Sequence, residues 1–383
     1  MKKAIIIASV ASMIDQFNRD NINLLQELGY EVSVACNFEY GSSTSNEQVK
    51  KLIKDLDELN VKHYHVPIPR SMFALKDMFK SYKFLRQLAL KEKYNLMHCH
   101  SPIGGVLARL AFKKSRRQGT KVIYTAHGFH FYDGAPLKNW IIFYPIEKLC
   151  SKVTDCLITI NKEDYKRAKE KFYANDVYHI NGIGVKTEKF KLINFDRDSY
   201  RKKIGLKKDE FMILSVGELN DNKNQKLVIN SIAKLNDKSV HYFIIGQGKN
   251  YNMYLKLSNE LKIENQIHLL GYRKDIAELN YAADLFIFPS IREGLGMAPL
   301  ESLTCRTPVC GMNTRGVNEY VIDGITGFFF KNTVDSCVEA INKYQKLNSC
   351  DKEKMKNNCY KMSQKFSVVE IRKIMREIYI KFL

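Results

Sequence analysis

Apolar residues run together in short blocks along the chain, and after each block they return every three or four positions. Residues 4–10 form the first block, and residues 15–28 form the first periodic stretch, closed by Gly29. An unbroken apolar run of this length predicts a strand buried on both faces, and the 3.6-residue period predicts a helix laid against it. Further blocks fall at 31–36, 63–66, 96–100, 121–125, 155–160 and 177–180, with helical stretches at 47–59, 71–93, 101–114 and 162–172. After a charged stretch at 186–208, read as a linker, the alternation begins again. Strand blocks then fall at 211–216, 241–245, 267–270, 284–288, 309–311 and 327–330, and helical stretches at 225–235, 251–261, 298–305, 334–347, 352–365 and 368–382. Strand and helix alternating in this way predict an α/β protein with parallel sheets, and the restart predicts two domains, 1–190 and 191–365.

One stretch concentrates chemistry. Residues 284–288 are a short strand ended by Pro289 and Ser290, Gly294 and Gly296 allow a close turn, and 298–305 is helical. A glycine turn leading into a helix gathers free N–H groups and a positive dipole end, which suits phosphate. Glu293 and Glu301 frame that point with seven residues between them, so one can meet a group ahead of the helix while the other reaches hydroxyls beside it. His127, followed by Gly128, lies at the carboxyl end of the strand 121–125, where open α/β sheets bind ligands. Its residue type alone also fits a capped core histidine.

Composition narrows the field. No apolar run approaches the roughly 20 residues that span a bilayer. The N-terminal MKKAIIIASVAS is too short in its apolar part for a signal peptide and runs straight into a helical pattern. The nine cysteines are scattered without a CxxC pair, as in a reducing cytoplasm. In His98-Cys99-His100, neighbouring side chains on a strand point to opposite faces, which argues against a metal. No G-x-G-x-x-G follows the first strand, which argues against a nicotinamide enzyme. The net charge is +20; residues 1–185 carry 28 basic and 18 acidic side chains and residues 186–383 carry 33 and 23, so each part contributes +10. That spread excess, without any nucleic-acid-binding signature, directs attention to an anionic membrane surface rather than to nucleic acid. The helix 71–93 has a basic side (Lys76, Lys80, Lys83, Arg86) and an apolar, aromatic side (Met72, Phe73, Phe79, Phe84, Leu88), which suits peripheral contact with such a leaflet.

The string DLFIFPSIREGLGMAPLESLTCRTPVC, with His127-Gly128 and Lys223, resembles the retaining glycosyltransferases of family 4, and most of the chain shares the resemblance. It implies the GT-B architecture: two Rossmann-like β/α/β domains facing an interdomain cleft, the final helix 366–383 crossing back to the first. It implies a nucleotide-sugar donor, most often a UDP-sugar, and an acceptor that is a polyprenyl-linked or growing surface glycan, as in bacterial capsule and exopolysaccharide assembly at the cytoplasmic face of the plasma membrane. His127, Lys223 and Glu293 are then the catalytic candidates. Donor-binding candidates are Gly217, Asn222, Gly246, Gly271, Tyr272, Arg273, Gly294, Leu295, Gly296, Met297, Ala298 and Glu301, with Glu301 on the ribose. Ser12, His100, Gly128 and His130 are the acceptor-side candidates. Lys223 and the amides at 296–298 can stabilise a diphosphate leaving group without a metal. The Asp-x-Asp pairs, Asp55/Asp57 and Asp196/Asp198, lie on helical or linker segments, so neither a metal nor another cofactor is expected. One departure stands out: the family usually has an arginine where this chain has Glu218, and Lys223 alone or Arg315 must replace it. The non-hydrolysing UDP-sugar epimerases share the architecture and form the alternative reading.

Overall fold

The computed structural model describes residues 1–41 and 45–382. The chain divides into two compact units, Met1–Ile183 with Ile371–Leu383, and Gly184–Glu370. The sequence-based boundary at 190/191 thus compares with a division at 183/184, and the return of the final helix with Ile371.

The first unit is built on β1 (Lys2–Val10), β2 (Tyr30–Asn37), β3 (Lys62–His65), β4 (Leu96–His100), β5 (Lys121–Ala126), β6 (Cys156–Thr159) and β7 (Asp176–His179). They form one parallel sheet in the order β3-β2-β1-β4-β5-β6-β7. Ala4 to Ala8 are fully buried on both faces of the central strand, which is why that block carries no alternation. The second unit repeats the pattern with β8 (Phe211–Val216), β9 (Val240–Ile245), β10 (Ile267–Gly271), β11 (Leu285–Phe288), β12 (Val309–Met312) and β13 (Gly327–Phe330), in the order β10-β9-β8-β11-β12-β13. In each sheet the order reverses beside the unit's first strand, between β1 and β4 and between β8 and β11. Crevices at the carboxyl ends of such strands are where this kind of sheet takes ligands.

Several segments depart from the periodic reading. The stretch 15–28 is two helices, Ala11–Phe17 and Arg19–Glu27, broken at the buried Asn18, whose side-chain amide donates to the Met13 carbonyl at 2.9 Å. The helix expected at 71–93 begins at Leu75 and buries Ser81, Leu85, Leu88 and Ala89. Phe73, ahead of the helix, and Phe79, on it, are 93% and 68% exposed. The supposed linker contains the helix Arg197–Lys203, and its Arg201 is buried. Arg197 and Arg201 both pair with Asp284, at 2.6 and 3.2 Å, and Asp284 also accepts from the Met212 amide at 2.8 Å. These charges fasten the segment to the base of β8 and β11. A helix that the pattern did not announce, Leu137–Ser151, turns Asn139 and Glu147 inward and Ile141 and Leu149 outward. Its Glu147 accepts from the buried Arg109 at 2.7 Å and from the Tyr124 hydroxyl at 3.0 Å.

Candidate functional site

In the second unit, the carboxyl ends of β8, β9 and β10 are joined through three of the glycines singled out in the sequence. The Gly217 amide donates to the Ile245 carbonyl at 2.9 Å, and the Gly246 amide donates to the Gly271 carbonyl at 2.8 Å. Gly246 has φ +142°, and a Cβ there would stand 1.9 Å from the Gly217 carbonyl oxygen, so only glycine lets these strand ends close up.

The loop after β8 is stitched to the loop after β11. The Ile291 amide donates to the Asn222 carbonyl at 2.8 Å, and the Asn222 side-chain amide donates to the Arg292 carbonyl at 3.0 Å. This stitching brings Lys223 Nζ to 2.5 Å from Glu293 Oε1, with the ammonium 5.0 Å from the centre of the Phe288 ring. Asn220 Oδ1 holds the Lys223 backbone by accepting its amide at 2.9 Å.

Beyond Glu293 the chain turns at Gly294–Gly296 into the helix Met297–Thr304. Gly296 is its N-cap at φ +89°, and no side chain caps the end. Pro299 has no N–H, so Met297 and Ala298 supply the uncapped first-turn amides. Leu295 is buried beneath the turn. Gly316 lies flush against Gly294, where a Cβ would meet its backbone at 2.9 Å. Glu301, one turn along, is partly buried, and its carboxylate has no hydrogen bond among the described residues. Burial raises its pKa above the ordinary glutamate range, while Lys189 pulls in the other direction. Arg315 donates from Nε to the Glu293 carbonyl at 3.4 Å, which places a second cationic side chain at this loop. Glu218 is exposed. Tyr272 is also exposed, and the Arg273 guanidinium is engaged by Asp275, with Nε donating to Oδ1 at 2.8 Å. The structure therefore gathers Gly217, Asn222, Lys223, Gly246, Gly271, Glu293 and the 294–298 turn, and leaves Arg273 in an ion pair of its own.

In the first unit, His100 ends β4 and His127 follows β5, and His100 Nδ1 lies 3.1 Å from His127 Nε2. Burial lowers the pKa of His127 to about 4. It takes His100 well below the usual histidine range, with His98 and His127 adding to the effect. Both rings are therefore neutral at physiological pH. His98, which the H-x-H spacing puts on the same face of β4 as His100, joins them, a relation that the argument from neighbouring side chains does not bring out. Its ring centroid is 4.2 Å from that of His100. Its Nδ1 lies 2.7 Å from the Tyr379 hydroxyl and its Nε2 lies 2.8 Å from Thr125 Oγ1. Gly128 takes φ +118°, which turns the chain so that the Phe129 amide can donate to Asp164 at 3.0 Å. Ser12 and His130 line a cavity of about 530 Å³ together with Met13, Phe17, Met72 and Phe143, with Arg70 also on its wall. The His130 ring stacks on Phe143 at 4.6 Å.

Lys76, Lys80, Lys83 and Arg86 are all exposed on the helix Leu75–Glu92, beside the exposed Phe79 and Phe84. Among the described residues no helix is long and apolar enough to cross a membrane. No group of three or more His, Cys, Asp or Glu side chains among them is placed to hold an ion.

Residues 17–189 match the family model described as Glycosyltransferase Family 4, and residues 196–364 match Glycosyl transferases group 1. The EpsD protein of Bacillus subtilis (strain 168), named as a glycosyltransferase, is 39% identical over 334 residues, covering 86% of this chain and 84% of its own. An Escherichia coli UDP-Gal:alpha-D-GlcNAc-diphosphoundecaprenol alpha-1,3-galactosyltransferase is 30% identical over 292 residues, 74% of each chain. Among solved structures, Anabaena HepE in complex with UDP and glucose superposes with a TM-score of 0.75 at 18% identity, over 99% of this chain and 100% of its own. The lipopolysaccharide glycosyltransferase WaaG gives 0.71 at 16% identity, over 98% and 99%. These structural likenesses establish the fold, two Rossmann-like parallel-sheet units of the GT-B type.

Proposed function

The chain belongs to glycosyltransferase family 4, and from that premise we propose that it moves a hexose or N-acetylhexosamine from a UDP-sugar to a lipid-linked glycan with retention of anomeric configuration and without a metal. The observation that carries this reading is the Lys223–Glu293 pair beside the uncapped amides of Met297 and Ala298. A cation and two backbone donors at the end of β11 suit the charge that builds on a departing diphosphate. Glu293 orients hydroxyls of the transferred sugar, and the unpartnered Glu301 accepts from the ribose. Arg315 takes the place of the arginine that Glu218 lacks.

In the reaction, the bond from the anomeric carbon to the diphosphate oxygen breaks, and a bond to the acceptor oxygen forms on the same face. The acceptor proton passes to a phosphate oxygen of the leaving UDP. His127, neutral in its half-buried position, offers a hydrogen bond to a sugar hydroxyl. The first unit receives the acceptor in the cavity lined by Ser12 and His130, with Arg70 available to an acceptor phosphate. The Escherichia coli relative named for a diphosphoundecaprenol-linked acceptor supports a polyprenyl-diphosphate glycan in that role. The exposed basic and aromatic side chains of Leu75–Glu92 hold the enzyme at the inner, anionic face of the plasma membrane. On this reading the enzyme works in the cytoplasm, in surface polysaccharide assembly.

The test is to incubate the protein with UDP-, GDP- and ADP-sugars, with and without membrane extract. Release of UDP that depends on the extract, with label moving into the lipid fraction, is the expected outcome. Interconversion of UDP-sugars without an acceptor would establish the epimerase reading instead.

A further inference from the structure

Three histidines and a tyrosine lie in one row of the first unit, His98, His100 and Tyr379 buried and His127 half-buried at its end, and only His127 has a place in the proposed chemistry. In a neutral pair of imidazoles joined by one hydrogen bond, one ring donates and the other accepts. His100 Nδ1 and His127 Nε2 are joined in this way, at 3.1 Å. The direction is decided by the far nitrogen of His100. Its Nε2 is buried and has no hydrogen-bond partner among the described residues. If His127 donated, the proton of His100 would sit on Nε2, leaving a buried N–H with nothing to accept it. If His100 donates from Nδ1, its Nε2 is only an unpaired acceptor, which is the better tolerated of the two states.

The surroundings hold His100 in that role. His98 lies against it, tilted by 38° with ring centroids 4.2 Å apart, and His98 is itself gripped on both nitrogens, by the Tyr379 hydroxyl at 2.7 Å and by Thr125 Oγ1 at 2.8 Å. His100 therefore cannot swing away to seek a partner for Nε2 without displacing a ring held at two points.

We propose that His100 is a positioning residue that fixes the tautomer of His127, so that His127 carries its proton on Nδ1 and presents that N–H to the substrate. The consequence for substrate rests on the reading of His127 given above, whereas the tautomer itself does not. Neutrality of both rings, which the one-donor, one-acceptor assignment requires, agrees with the lowered pKa values of the two histidines.

Long-range ¹H–¹⁵N correlation spectra of the full chain labelled at histidine nitrogens read the tautomer directly. The expected spectrum shows His127 protonated at Nδ1 and unprotonated at Nε2; the opposite pattern overturns the proposal without recourse to any variant. Two substitutions extend the test. In H100N the side-chain amide can still donate to His127 Nε2, so the tautomer is kept and most of the turnover lost in H100L returns. In H100D an ionised carboxylate can only accept, so His127 then takes a proton on Nε2 and turnover falls on the order of 10²-fold. If the Nδ1–H spectrum is found but H127A keeps wild-type turnover, the tautomer stands and the assigned role of His127 fails.

Discussion

Lys223 Nζ lies 2.5 Å from Glu293 Oε1, although 70 positions separate the two residues in sequence. Side-chain exposures of 23% and 15% keep the pair largely out of water, so its charges are less screened than those of a surface ion pair. In the proposed reaction the lysine would face both this carboxylate and the diphosphate. K223A is expected to lower kcat by about 10²-fold or more, the size of loss that follows removal of a preorganised charge contact. Steady-state rates with saturating donor check this, and a loss of only a few-fold would remove Lys223 from leaving-group stabilisation.

Glu301 should separate stability from binding. Its folded pKa lies above the unfolded value, so ionisation costs the fold stability above that pKa, and the cost disappears as the pH falls through it. E301Q, which cannot ionise, is therefore expected to melt at the same temperature as the wild type or higher at about pH 7.5. The same variant loses a charged acceptor for the ribose and should bind UDP about tenfold more weakly by calorimetry. Undiminished UDP affinity in E301Q would show that the ribose lies elsewhere.

The buried histidines make the fold sensitive to acid. In the unfolded chain His98 and His100 take up protons as the pH falls through about 6.5. In the folded chain burial keeps His98 neutral to about 3 and holds His100 well below the usual range. Between these limits the unfolded state binds protons that the folded state does not, so stability declines as the pH drops, by up to about 1.4 kcal/mol per pH unit for each histidine. Urea unfolding from about pH 7 down to about pH 5 should show this decline, and H98Q should be shallower by about one histidine's share. Parallel slopes for the two proteins would contradict it.

Membrane contact through Leu75–Glu92 predicts a salt-sensitive interaction. Each basic side chain near an anionic surface contributes about 1 kcal/mol, so replacing Lys76, Lys80, Lys83 and Arg86 by glutamine should weaken sedimentation with anionic vesicles by on the order of 10²- to 10³-fold. F79S should weaken it further by removing an aromatic anchor that is 68% exposed. Binding that is indifferent to all four charges would place the contact elsewhere.

The strands were legible because parallel strands covered on both sides must be apolar throughout, and the blocks at β1, β4, β8 and β11 are. The glycine turn, Glu293 and Glu301 were legible because their spacing follows from one strand, one turn and one helix. What failed was the assumption that charge means solvent. Arg201 is buried against Asp284, so a segment that looks like a linker is structural. The helix Leu137–Ser151 inverts the pattern, with Glu147 inside on Arg109 and Ile141 outside, and no periodicity search finds such a helix. The link from Lys223 to Glu293 could be suspected only by family likeness, because contacts across a parallel sheet leave no local mark. The same holds for Tyr379 and His98, which stand 281 positions apart.

That last contact has a consequence for biogenesis. Tyr379 and the rest of Ile371–Leu383 are synthesised after the whole of Gly184–Glu370, yet they belong to the unit that begins at Met1. Arg372 pairs with Glu27, and Lys381 pairs with Asp176 at 2.6 Å, so the late segment clasps both an early helix and the last strand of that sheet. The first unit therefore waits for its closing piece until the whole of the second has been synthesised. A nascent chain, or one clipped by a protease ahead of Ile371, therefore leaves His98 without its tyrosine and the histidine row without its anchor.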